Sequence, residues 1–79
     1  MKIYSYTMTD TFGGEPNYAW VRRGEVQLPE GTSDLALVRR VKRELGMEGV
    51  RCRKEKWGDT LALHPIGQCV VVFIEQVHN

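Results

Sequence analysis

Arginine supplies the densest chemistry in this chain. Between Arg39 and Lys56 stand eight basic residues (Arg39, Arg40, Lys42, Arg43, Arg51, Arg53, Lys54, Lys56) against three acids, Glu44, Glu48 and Glu55. Guanidinium forks match phosphate and carboxylate geometry, and a cluster of them is an electrostatic footprint for a polyanion. Arg39, Arg40, Arg43, Arg51 and Arg53 are therefore candidate contacts for a nucleic-acid backbone or for an acidic protein surface. The competing reading is a solvated face, because the first three fall in the second half of an expected helix, where the dipole favours cations. The formal charge of +1 hides this segregation. Both flanking segments are acidic, which implies a dipolar surface.

A second constellation lies in DTFGGEPNYAWVRR. Gly13, Gly14, Pro16 and Asn17 are four turn formers in five positions, so Asp10–Asn17 is expected to be a loop. It is not a phosphate cradle: neither G-x-G-x-x-G nor G-x-x-x-x-G-K-[ST] is present, and no helix follows. The run behind it, Tyr18, Trp20, Arg22 and Arg23, offers aromatic and cationic groups for a protein partner. With Tyr4 and Tyr6 it is also a candidate platform for stacked bases. Aromatics at strand spacing more commonly pack beneath a helix, and a core placement for Tyr18 and Trp20 is the first expectation.

Catalytic and metal chemistry find little support. His64 and His78 are the only histidines, Cys52 and Cys69 the only cysteines. None of these four makes a C-x-x-C or H-x-x-x-H pair, so no metal site is expected. A Cys-His or Ser-His pair needs an orienting third group in a concave site, for which so short a chain has little room. Asp10, Glu15 and Glu25 are scattered through turn-like sequence, and nothing places two carboxylates on one site. The reading is a protein that is not an enzyme and has no cofactor, with both thiols buried and free in a reducing compartment.

These groups need a scaffold, and one domain is all that 79 residues can build. Lys2–Met8 alternates at the period of a strand, with Tyr4, Tyr6 and Met8 on one face. Strand chemistry resumes over Tyr18–Leu28, where Gly24 marks a bulge or the end of regular pairing. Ser33 or Thr32 caps a helix over Asp34–Leu45 that Gly46 ends, with Leu37, Val38, Val41 and Leu45 as its apolar stripe. Two strands follow, joined by a two-residue Gly58-Asp59 turn. The unbroken run CVVVFI makes the last strand central and buried on both faces. The order β-β-α-β-β-β describes a small two-layer α+β domain, one amphipathic helix packed on a mostly antiparallel sheet. Leu37, Val41, Leu45, Val71 and Phe73 are the expected core. Since one helix covers one face, the other is covered by loops or by a second copy, and a homodimer is the favoured alternative. No run approaches the roughly 20 apolar residues of a membrane span, and the start lacks a signal-peptide core, so a soluble cytoplasmic protein is expected.

The stretch DTFGGEPNYAWVRR, with RCRKEKWGDTLALHP and CVVVFI, resembles a family of small uncharacterised proteins of bacteriophages, prophages and their proteobacterial hosts. The resemblance covers most of the chain and carries no activity, cofactor or site residue. It implies a small accessory protein of the bacterial cytoplasm that acts on nucleic acid or on a host protein. Together with the residues, it points to a binding module that uses its basic zone on a polyanion. The alternative is an interaction factor that engages a host protein through Tyr18–Arg23.

Overall fold

The computed structural model describes residues 1–77, so His78 lies outside the described residues. Six elements follow in the expected order: β1 Lys2–Phe12, β2 Glu15–Leu28, α1 Asp34–Glu44, β3 Cys52–Trp57, β4 Thr60–Pro65 and β5 Val70–Gln76. The strands form one antiparallel sheet in the order β2-β1-β5-β4-β3. The last strand is central, as its apolar run requires. α1 carries the chain from β2 at one edge to β3 at the other. No helix among the described residues is long and apolar enough to cross a membrane.

Helix α1 begins where the Ser33 hydroxyl accepts a hydrogen bond from the Ala36 amide at 3.2 Å. Thr32, the other candidate cap, instead donates to the Pro29 carbonyl. The helix ends on paired turn bonds, Gly46 N–H to Arg43 O and Met47 N–H to Lys42 O, with Gly46 left-handed at φ 71°. Its stripe of Leu37, Val38, Val41 and Leu45 packs on Val26, Leu28, Leu61, Leu63, Val72 and Ile74, with Tyr4, Tyr6 and Met8 at the margin. Val41 is wholly buried. Each such apolar side chain taken from water contributes about 1.5–3 kcal/mol.

Three expectations need correction. The Asp10–Asn17 loop is mostly strand: only Gly13 and Gly14 turn, at φ 63° and 83°, the positive pair that a tight hairpin turn demands. Pro16 is tolerated because β2 is an edge strand and needs no donor there. Gly24 marks no bulge. It sits in regular pairing opposite Tyr6, whose ring occupies the space a Cβ would need. Phe73 is not in the core under the helix: on a central strand its neighbours Val72 and Ile74 take the helix side, and its own ring is half-buried on the other.

The second face of β5 nevertheless has a cover. Val71 is 1% exposed, and Thr9 and Ala62 are fully buried, although all three lie opposite the helix. The last β1–β5 pair is Asp10 with Val70, and the Thr11 amide still donates to the Cys69 carbonyl at 2.9 Å, so the hairpin overhangs the sheet from Phe12 onward. Its tip, Gly14 to Pro16, lines a hollow together with Arg53, Glu55 and His64 from the far side of the sheet. The hairpin has curled across. The chain itself thus supplies cover that sequence reasoning assigned to loops or to a second copy.

Leu63, on β4 beneath the helix, has no exposure. Leu63→Ala should lower the unfolding free energy by about 2–5 kcal/mol in chemical denaturation. Leu35→Ala, at a helical position 52% exposed, should change it by less than about 0.5 kcal/mol.

Candidate functional site

Antiparallel pairing assigns each side chain to a face. Tyr4, Tyr6 and Met8 of β1 pack beneath the helix, so Ser5, Thr7 and Thr9 belong to the open face. Pairing then sets Glu25, Ser5, Glu75, Thr60 and Trp57 in one row across the five strands, and Arg23, Thr7, Phe73, Ala62 and Glu55 in the next. Charged and aromatic groups thus share a face that no helix covers, spaced by Ser5, Thr7, Thr60 and Ala62.

Trp57 and Phe73 form its apolar ridge, with ring centres 6.1 Å apart and planes tilted by 41°. Tilted pairs in this range are attractive beyond the area they bury. On one side of the ridge is a hollow of about 400 Å³ bounded by Tyr18, Arg23, Thr60 and Glu75. On the other is one of about 270 Å³, roofed by the hairpin tip and walled by Arg53, Glu55 and His64. Trp57 is 53% exposed and Tyr18 56%. The core placement expected for Tyr18 is wrong, and Trp20, 42% exposed on the edge strand, is not in the core either.

Tyr18 reaches the open face through an irregularity in the hairpin. Pairing runs regularly to Thr9 opposite Val21 and resumes at Thr11 opposite Pro16, so β2 carries extra residues there. Within that bulge Tyr18 adopts φ 56°, a left-handed conformation costly for a non-glycine residue. Side chains of β1 hold it in place. The Tyr18 amide donates to Thr9 Oγ1 at 3.0 Å, the Ala19 amide to Asp10 Oδ1 at 2.9 Å, and Asn17 Nδ2 to Asp10 Oδ2 at 2.9 Å. The Asn17 bond foremost, then those from the Ala19 amide and the Thr9 hydroxyl, hold the Asp10 carboxyl below its ordinary value against a smaller opposing effect of burial.

The roofed hollow holds a cluster of Arg53, Glu55 and His64. Glu55 Oε1 is ion-paired with Arg53 Nη1 at 2.7 Å and lies 3.2 Å from His64 Nε2. The approach of His64 is close but poorly directed, and its buried Nε2 makes no hydrogen bond in the structure. Sequence reasoning passed over Trp57, Glu55 and Glu75 and set Phe73 in the core, although the alternation Arg53-Glu55-Trp57 already placed three side chains on one face.

The basic zone does not form one patch. Arg39, Arg40 and Arg43 border a groove of about 400 Å³ along the helix, floored by Leu28 and Ala36 and shared with Glu48. Arg40 is paired with Glu44 at 2.9 Å. Arg53 projects from the opposite side of the sheet, because β3 alternates and Cys52 takes the helix side. Arg51 is exposed in the connection immediately before β3. The Tyr18–Arg23 segment is divided too. Arg22 turns to the helix, where its Nη1 donates to the Leu45 carbonyl at 3.4 Å, while Arg23 borders the open-face hollow with Tyr18.

Both cysteines are free. Cys52 is half-buried and its thiol is pushed up by burial, against the pull of Lys42. Cys69 is exposed in the turn before β5, contrary to the expectation of two buried thiols. Among the described residues no three His, Cys, Asp or Glu side chains form a metal cluster. No protein-family model, curated protein or solved structure matches the chain.

A depressed carboxyl stabilises the folded hairpin above the unfolded aspartate value, and this contribution is lost as pH falls through the lower folded value. The Ala19 amide proton resonance should therefore titrate with a midpoint below the ordinary aspartate range. Asp10→Ala should abolish that titration and raise hydrogen exchange at Tyr18 and Ala19 selectively, with α1 unaffected.

Proposed function

We propose that this protein is a non-enzymatic binding module whose partner is another protein, engaged on the open sheet face beneath the β1–β2 hairpin. The observation that carries this reading is the Trp57–Phe73 ridge, standing with Tyr18 on a face that no helix covers. Exposed aromatics flanked by charge are the composition of interface hot spots. The resemblance to small phage and prophage proteins is consistent with such a module and suggests a bacterial host protein as the partner to test. Tyr18 and Arg23 keep the role the sequence suggested for them. Trp20 stands beside them on the edge strand, and Arg22 braces the helix end.

A second reading rests on Arg39 and Arg43, one helical turn apart and both exposed along the helix groove. They suit a nucleic-acid backbone. Against it, Arg40 is neutralised by Glu44, Glu48 borders the same groove, and Arg53 lies on the other face with Glu55. What remains is too small a footprint for the steep salt dependence of a multi-phosphate contact.

Selection from a random peptide library against the full chain separates the two. Recovered peptides should bind the wild type and lose roughly tenfold or more on Trp57→Ala or Tyr18→Ala, while the Arg39→Ala, Arg43→Ala double variant binds within about twofold. Both aromatics are exposed, so circular dichroism should report an unchanged fold. Failure to select any peptide, together with DNA or RNA oligomer binding that the arginine variant abolishes, would transfer the function to the helix.

A further inference from the structure

The open face is the acidic side of this molecule. Glu25, Glu55 and Glu75 share it with Glu15 at the hairpin tip, against Arg23 and Arg53. Arg53 is already bound to Glu55 at 2.7 Å, and no described cation lies within ion-pair distance of Glu75. The helix side carries the opposite sign, with Arg39 and Arg43 exposed. A cationic ligand is therefore repelled from one side of the domain and drawn to the other.

The same acid stands beside the rings. Glu75 follows Phe73 by two residues on the same face of β5, about 7 Å along the strand. It pairs with Thr60, which pairs with Trp57, so a row two strands wide, about 10 Å, spans carboxylate and indole. Tyr18 closes the hollow from above. Aromatic faces attract cations through the ring quadrupole, indole most strongly, and a neighbouring carboxylate adds a charge that neutral apolar ligands cannot use.

We infer that the hollow bounded by Tyr18, Trp57, Phe73 and Glu75 receives a single arginine or lysine side chain from a peptide segment of the protein partner. This rests on the protein-binding reading above and names the chemistry that the partner presents. Arg23 walls the β2 side of the same hollow and repels a second cation there, so the site takes one basic side chain and not a polybasic run.

The test uses three blocked pentapeptides, Gly-Ser-Xaa-Ser-Gly with Xaa arginine, glutamine or glutamate, titrated into the full-length chain at low salt and followed by amide and indole NMR. The arginine peptide should shift the Trp57 indole and the amides of Tyr18, Phe73 and Glu75, and the glutamine and glutamate peptides should not. Affinity should fall about two- to fivefold on Glu75→Gln and again on Trp57→Leu, which keeps the bulk but removes the ring, and Trp57→Phe should restore part of it. Equal binding of the glutamine peptide, shifts confined to the helix, or no shift at millimolar peptide would overturn the inference. So would concentration-dependent shifts at Trp57 without any peptide, which assign the hollow to a second copy. If library peptides bind at Trp57 while the arginine peptide does not, the protein-binding role stands and the cation falls.

Discussion

A five-stranded sheet has two faces, and this chain has one helix to cover them. Most of the structure follows from that shortage. The helix takes the face that holds Leu61, Leu63, Val72 and Ile74, and the opposite face needs another source of cover over Val71 and Ala62. Burial of a few apolar side chains is worth several kcal/mol in a domain whose total stability is of that order. The chain meets the need by lengthening its first hairpin past the end of β5 and folding the overhang back. The cover is partial, and the part of the face left open carries Trp57 and Phe73.

Such a fold-back requires the hairpin to bend, and an ideal two-stranded ribbon bends poorly. The bulge opposite Asp10 relieves this, because surplus residues on one strand increase local twist and re-aim side chains. Its cost is the left-handed Tyr18 and amides removed from the ladder. Thr9, fully buried, and the Asp10 carboxylate supply acceptors for those amides. Polar groups that look incidental in a strand are thus the condition for presenting Tyr18 to the open face. Bend, strain and aromatic display form one device.

How legible all this was in the sequence depended on range. Local rules sufficed for helix α1, whose cap, stripe and terminating glycine lie within one segment, and for the Gly58-Asp59 turn. The central place of β5 could be argued from composition, since a strand apolar on both sides must be covered on both sides. Gly13-Gly14 misled because Pro16 and Asn17 enlarged an apparent loop, when an edge strand admits both. Phe73 was placed in the core by its neighbours' company, although strand alternation sets it apart from Val72 and Ile74. The site was largely illegible. Its rings come from β3 and β5 and its roof from the β1–β2 hairpin, and no local pattern encodes a fold-back that joins the two edges of a sheet.

The arginines show the same limit and have a physical consequence. Along the sequence Arg39–Lys56 reads as one basic zone, but the helix ends and β3 begins inside it, and strand alternation sends Arg53 to the far side. There it joins Glu55, while Arg40 joins Glu44. What survives is a domain of nearly neutral total charge with a positive helix side and a negative sheet side. Net charge near zero gives little long-range attraction to a polyanion, but opposed faces orient a dipolar partner during encounter, within the roughly 8–10 Å over which physiological salt leaves charges visible. On the binding reading proposed above, such orientation favours approach to the open sheet face over the helix side. On that same reading the exposed rings of Trp57 and Phe73 make the short-range contact after the charges have set the approach.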